Sequence, residues 1–138
     1  MPKKRASAAA TSTARPAALY GLAGIRLLNG AAGLIAPALL IHRLDRASEP
    51  NPAAVYAFRL FGIRTILLGL DLLTNRGERL EQDLREGVLI HASDTLTAAM
   101  LGIKGLLPPR TAAMTTLISA TNTALAVSAL GNGAKEKK

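Results

Sequence analysis

Cysteine and tryptophan are absent from this 138-residue chain, and only two Phe and two Tyr are present. Without cysteine, the protein cannot form disulfides, cysteine-based zinc sites or thiol nucleophiles. A water-soluble core of this size normally contains more aromatic side chains, because each of them buries a large area. The scarcity of aromatic residues therefore disfavours an ordinary soluble domain.

Catalytic motifs that can be recognised in a single sequence are also missing. The chain has no His-x-x-x-His, no phosphate-binding Gly-rich loop and no Ser-His-Asp arrangement. Its two histidines, His42 and His91, are predicted near opposite faces of a membrane, so they cannot ligate one haem iron. These absences favour a protein that is not an enzyme, with no catalytic residues, no metal and no resident cofactor.

Four apolar segments make up most of the chain. Each is close to the roughly 20 residues that a helix needs to cross a bilayer. Leu, Ala, Ile and Gly dominate them, a mixture typical of helices that pack closely in lipid. The sequence therefore predicts an all-α fold, a four-helix transmembrane bundle within a single domain of residues 17–131. The predicted spans are 17–41, 53–74, 87–107 and 111–130.

Short basic tails flank the predicted bundle. Residues 1–16, "MPKKRASAAATSTARP", are small, polar and basic, so we expect a disordered tail there. Residues 132–138 form a second basic tail after the helix-stop pattern "GNG". A mitochondrial presequence is an alternative for the N-terminus, because no acidic residue precedes Asp45.

The net charge of +8 is distributed unevenly over the predicted loops and tails. Four spans place both termini and the 75–86 connection on the side that is richer in Lys and Arg. The positive-inside rule then predicts a multi-pass inner-membrane protein with cytoplasmic termini, or a mitochondrial membrane protein as the alternative. Nucleic-acid binding is disfavoured because no aromatic platform accompanies the basic tail. The richer side holds Lys3, Lys4, Arg5, Arg15, Arg76, Arg79, Arg85, Lys135, Lys137 and Lys138, and the other side holds Arg43, Arg46, Lys104 and Arg110.

Charged residues interrupt the predicted spans, most clearly in "FRLFGIRTILLGLDLL" at residues 58–73. A charge at the bilayer centre costs about 2.5–3.5 kcal/mol on insertion scales, so such residues are expected to meet inside a bundle. We predict one polar cluster in the half of the bundle nearer the termini. It either fixes helix register through Arg–Asp pairs or forms a proton relay, head-group pocket or anionic-ligand site. Its candidate members are Arg26, Asn29, Arg64, Asp71, His91 and Asp94.

Small residues predict where the helices pack. In the second span, Gly62, Thr65 and Gly69 share the face opposite Arg64 and Asp71. Close packing on one face and charges on the other predict a central position for this helix. The fourth span carries a similar strip, made of Ala112, Thr115, Ser119, Asn122 and Ala126.

Three stretches, "YGLAGIRLLNGAAGLIAP", "FRLFGIRTILLGLDLL" and "HASDTLTAAMLG", together resemble the small DoxX-like membrane proteins over about residues 20–130. The resemblance implies a four-helix membrane bundle and suggests a membrane redox partner. Three functions follow as expectations: a structural or accessory component, an oxidoreductase subunit with a quinone head-group site, or a proton-coupled carrier using His91 and Asp94. The expected partners are the lipid bilayer and either further copies of the chain or another membrane subunit.

Overall fold

The computed structural model describes the backbone of residues 3–44, 49 and 51–136, and the side chains of residues 15–44, 49 and 51–133. No strand occurs in these ranges, so the all-α prediction is confirmed. The described chain forms five helices rather than four: α1 (Lys3–Ile35), α2 (Pro37–Leu44), α3 (Pro52–Thr74), α4 (Gly77–Ile103) and α5 (Pro109–Glu136).

Helix α3 agrees closely with the predicted second span of 53–74. Asn51 caps its start, because the Asn51 side chain accepts a hydrogen bond from the backbone N–H of Ala53 at 2.8 Å, and Pro52 occupies the first turn. Proline is favoured there because its missing N–H would have no partner in any case. The helix ends where Asn75 adopts extended backbone geometry.

The predicted first span of 17–41 is divided in the structure. Helix α1 ends at Ile35 and α2 begins at Pro37. Proline disfavours helical geometry in the residue before it and lacks the N–H that would continue the helix. The break at Ala36 is therefore a consequence of Pro37, which the length argument overlooked.

Helix α1 also begins at Lys3, although the sequence predicts a disordered tail over 1–16. The first two residues of that tail lie outside the described residues. Pro16 lies inside the helix and cannot donate the hydrogen bond that would reach the carbonyl of residue 12. The run of Ala, Arg and Lys before it has high helix propensity, which the prediction of disorder underweighted.

The last two helices are longer than predicted. Helix α4 begins at Gly77, which has a positive φ of 58°, so the expected connection of 75–86 is mostly part of this helix. Its charged first half is stabilised by contacts of i,i+4 spacing, such as Gln82 to Glu86 at 3.0 Å. Helix α5 continues through the "GNG" pattern to Glu136. The final two residues of the predicted tail 132–138 lie outside the described residues.

Three helical segments are long and apolar enough to cross a membrane: Arg15–Ile35, Pro52–Thr74 and Pro109–Gly133. Helix α4, which contains the predicted span 87–107, is not among them. The charged residues of its first half, Glu78, Arg79, Glu81, Asp83, Arg85 and Glu86, restrict the apolar part of the helix to residues 87–103, which also contain His91 and Asp94.

Glycines bring α1 and α3 into the closest contact in the bundle. A Cβ atom built on Gly62 of α3 would meet the backbone of α1 at Gly33 and Leu34, and would lie 2.7 Å from the carbonyl oxygen of Gly30. Gly62 and Gly69 are both buried, so the predicted small-residue face of α3 does pack against another helix.

Helices α1 and α5 form the middle of the bundle, with α3 packed on α1 and α4 packed on α5. Helices α3 and α4 contact each other much less. We call the end that holds the two-residue connection Asn75–Arg76 the connector end. The hydrophobic core lies towards this end and consists of Ala18, Leu22, Ala23, Leu72, Leu80, Leu84, Ala126 and Ala129.

Candidate functional site

Arg26 is the most deeply buried charged side chain among the described residues, with a relative exposure of 2%. It extends from α1 to groups on two other helices. Its Nε and Nη2 atoms lie 3.2 and 3.1 Å from Nε2 of His91 in α4. Its Nη1 atom donates to the carbonyl oxygen of Leu68 in α3 at 3.2 Å. One side chain thereby connects α1, α3 and α4.

Two glycines provide the space that this side chain occupies. A Cβ atom on Gly87 of α4 would lie 2.5 Å from Nη2 of Arg26. A Cβ atom on Gly69 of α3 would lie 3.2 Å from Cβ of Arg26. Any larger residue at Gly87 would therefore displace the guanidinium from His91.

The contact with Arg26 fixes the hydrogen-bonding state of His91. A guanidinium has only donors, so the Nε2 atom that faces it must be an acceptor. The proton of the neutral imidazole then resides on Nδ1, which lies 3.8 Å from Oδ2 of Asp94. His91 therefore adds no positive charge, and the Asp94 carboxylate is not neutralised by it.

A buried carboxylate near the connector end acts electrostatically on Arg26. It belongs to Asp83, which is 7% exposed. Its Oδ2 atom accepts a hydrogen bond from Nδ2 of Asn75 at 2.7 Å, and Oδ1 lies 3.9 Å from Nε of Arg79. Among the described residues, the interior thus contains one cation and one anion, each held by neighbouring polar groups.

The structure brings together three of the six predicted cluster members. Arg26 contacts His91, and Asp94 lies next to His91 with its side chain 49% exposed. Arg64 is exposed and Asp71 is half-buried. Neither of them forms an ion pair within the part of the chain that the structure describes.

The position of α3 explains why Arg64 and Asp71 are separate from the cluster. These two residues share a face because they are seven positions apart. The opposite face, with Gly62 and Gly69, packs on α1. Helix α4 packs mainly on α5 and leaves the charged face of α3 uncovered. Helix α3 therefore lies at the edge of the bundle, not at the predicted central position.

Asn29, the sixth candidate, is half-buried about one turn from Arg26 on the side away from the connector end. It lines a pocket of about 160 Å³, here called the outer pocket, at the end where α2 lies. The walls are mostly apolar, and the rings of Phe58 and Phe61 meet there edge to face with centroids 6.3 Å apart. Thr111 closes one side, donating to the carbonyl oxygen of Arg43 at 2.9 Å.

Asn122 of α5 is a further buried polar residue, with 6% exposure. Its Oδ1 atom has no hydrogen-bond partner among the described residues. Gly21 of α1 lies against Leu125, and Ile25 lines a groove with Thr121. This antiparallel alignment places Asn122 within about one turn of Arg26 along the bundle axis.

Sequence reasoning missed Asp83 and the Leu68 carbonyl as groups near Arg26. Asp83 was assigned to a solvated connection because charged residues surround it. Helical spacing was a usable signal, since Asp83, Gly87 and His91 follow one another at intervals of four residues and share a face. The Leu68 carbonyl is a backbone group, and no side-chain pattern reports it.

Within the described ranges, no group of three or more His, Cys, Asp or Glu residues could hold a metal ion.

In comparisons with known proteins, the chain matches no protein-family model, no curated protein and no solved structure.

Proposed function

We propose that the chain is a four-helix integral membrane protein with a structural or accessory role rather than a catalytic one. The observation that carries this proposal is the distribution of large hydrophobic side chains. Among the described residues, twenty of them are exposed, whereas only four Leu and one Ile are buried. A soluble monomer rarely exposes a large continuous apolar surface, whereas a lipid-facing bundle requires one.

The polar side chains of the apolar helices support the same environment. Several threonine hydroxyls donate to a backbone carbonyl one turn earlier in their own helix, so they need no water. Thr95 donates to the His91 carbonyl at 2.6 Å, Thr121 to Leu117 at 2.8 Å and Thr123 to Ser119 at 2.9 Å. Groups satisfied in this way are tolerated in hydrocarbon.

The second half of α4 is the fourth span in this proposal. Helix α4 packs along α5, and Gly102 lies against Ala112 near the end opposite the connector. A helix packed along a membrane-spanning neighbour occupies the same depth range. Its second half also exposes apolar side chains, namely Leu89, Ile90, Leu96, Met100 and Ile103.

An even number of spans puts both termini on the connector side. That side is the richer in Lys and Arg, so both termini are cytoplasmic in an inner membrane. In this arrangement the contact of Arg26 with His91 and Leu68 has a structural role and holds three helices together. It sets the register of three helices, which is the best-attested use of buried charged groups.

Membrane extraction and protein interaction test the proposal separately. We expect the chain to remain in the membrane pellet after alkaline carbonate washing, and an accessory role predicts chains that co-purify from mild detergent. Recovery in the soluble fraction would contradict the membrane assignment. Turnover of a small molecule by the purified protein, lost in Arg26→Lys, would contradict the non-catalytic role.

The outer pocket favours one second candidate, the quinone head-group site that the DoxX-like resemblance implies. A pocket of about 160 Å³ with aromatic walls and the Asn29 amide suits a small ring that bears carbonyl acceptors. Lipid extracts of the purified protein should then contain stoichiometric quinone, and Asn29→Leu should remove it. An extract without quinone would dismiss this candidate.

A further inference from the structure

The side of the bundle formed by α3 and α4 is the least tightly packed. Helices α1 and α3, α1 and α5, and α4 and α5 pack extensively, whereas α3 and α4 have few contacts. At the connector itself, Asn75 donates a hydrogen bond to Asp83. Farther from the connector than Arg26 and His91, no described residue of α3 forms a hydrogen bond or ion pair with a described residue of α4.

Two opposite charges lie on these two helices at the same depth. Arg26 contacts both Leu68 and His91, so these two residues mark one level of the bundle. Arg64 lies four residues beyond Leu68, and Asp94 lies three residues beyond His91, both away from the connector end. At a rise of 1.5 Å per residue, the two charges are about 6 and 4.5 Å past that level. They therefore differ in depth by about 1.5 Å.

Neither charge is neutralised by another described residue of the same copy. Arg64 is exposed and forms no ion pair among the described residues. Asp94 faces a neutral imidazole and is 49% exposed. It lies on the stripe of α4 whose other members are buried, including Gly87, His91 and Ala98. Neighbouring helices bury the rest of this stripe but leave Asp94 exposed.

Acyl chains provide no counter-charge for Arg64. Arg64 is ten residues from Thr74 and twelve from Pro52, about 15 and 18 Å from the two helix ends. It is too deep to reach either interface without distortion, and an unpaired charge at that depth is costly. Arg59 differs because it is only seven residues from Pro52 and can extend to the nearer interface.

We propose that a second copy of the chain covers this side, with Arg64 of each copy paired to Asp94 of the other. The proposal rests on the membrane assignment above. Two copies inserted with the same topology are related by a two-fold axis along the membrane normal. Such an axis preserves depth, so only charges at equal depth can pair across it. Arg64 and Asp94 meet that condition, and the symmetry forms the pair twice.

Cysteine cross-linking tests the pairing directly, because the native chain has no cysteine. Two differently tagged forms, Arg64→Cys and Asp94→Cys, are co-expressed and oxidised in native membranes. One ion pair remains intact in the mixed dimer, so the substitutions alone do not abolish association. We expect a disulfide-linked product that carries both tags. The matched control, Arg59→Cys with Asp94→Cys, should give little of this product.

Charge exchange provides a second measurement that does not depend on disulfide geometry. Native mass spectrometry in mild detergent should show dimer for the native chain. It should show loss of dimer for Arg64→Asp and for Asp94→Arg, and recovery of dimer when both changes are combined. Recovery would not occur if the single changes only unfolded the chain.

Several results would overturn the pairing. One is a membrane-inserted chain that gives no two-tag product, or no more of it than the Arg59 control gives. Another is a product that links Arg64→Cys to a different polypeptide, which would assign this side to another subunit. These results leave the proposed function intact. Recovery of the chain in the soluble fraction would overturn the proposed function and the pairing together.

Discussion

The contact between α1 and α3 allows a sharp test of the fold through Gly62→Ala. The new methyl group would lie 2.7 Å from the Gly30 carbonyl oxygen and 2.9 Å from the Gly33 carbonyl carbon. These are backbone atoms, so they cannot rotate away as the end of a side chain could. A relaxed carbon–oxygen contact needs about 3.3–3.6 Å, so the helices must separate by roughly 0.6 Å or more.

Separation of this size weakens the contacts along the interface. A gap of 0.5–1 Å already forfeits a quarter to a half of each dispersion contact. Overpacking of a well-packed site typically costs about 1–3 kcal/mol. We therefore expect Gly62→Ala to lower the free energy of unfolding by about 2 kcal/mol, within that range. This corresponds to a change of more than tenfold in the unfolding equilibrium constant.

Gly24→Ala is the matched control for this prediction. A Cβ atom on Gly24 would meet nothing within 4 Å, so this change adds the same methyl group in the same type of helix without a clash. Unfolding in mixed detergent micelles, followed by circular dichroism during an SDS titration, measures both variants. Equal midpoints for Gly62→Ala and Gly24→Ala would refute the close helix contact.

Four further predictions concern single substitutions within the helices. Arg26→Leu should lower the free energy of unfolding by about 3–5 kcal/mol, because it leaves buried polar groups without partners. Arg64→Leu should have a much smaller effect on the dissociated chain in the same SDS titration, and an equal loss would contradict the exposed, unpaired position of Arg64 in a single copy. Gly87→Ala should also destabilise, because its methyl group displaces the guanidinium, and an unchanged midpoint would contradict that contact. Asn122→Leu should keep or raise the melting temperature in detergent, since it removes a buried acceptor that lacks a partner; a clear drop would show that Oδ1 is bonded.

Helix boundaries could be predicted where the sequence contains a chemical signal. Asn51 and Pro52 define the start of α3, and the prediction for this helix is accurate. The predicted third span begins at residue 87, ten residues after the start of α4, because charged residues at 75–86 indicate a helical connection outside the membrane. The charged first half of α4 has helical spacing, and spacing is the more direct signal for backbone geometry. The break at Pro37 was present in the sequence but was outweighed by the length of the apolar run.

The polar cluster could be predicted only in part. Depth along the helices is calculable from sequence, and it placed Arg26 and His91 in the same half of the predicted bundle. Which helix faces which is a property of the whole bundle. The sequence does not reveal that α4 packs on α5, which leaves the charged face of α3 uncovered. The placement of Arg64 and Asp71 within the cluster therefore required the structure.

The contact of Arg26 with His91 and Leu68 also has a consequence for biosynthesis. Arg26 is made early, yet the histidine that accepts its hydrogen bonds is 65 positions later in the chain. During translation the first helix must hold an uncompensated cation until most of the protein has left the ribosome. The Leu68 carbonyl, 42 positions after Arg26, becomes available sooner as a provisional partner. The first helix therefore completes its polar contacts only after α3 and α4 have been synthesised.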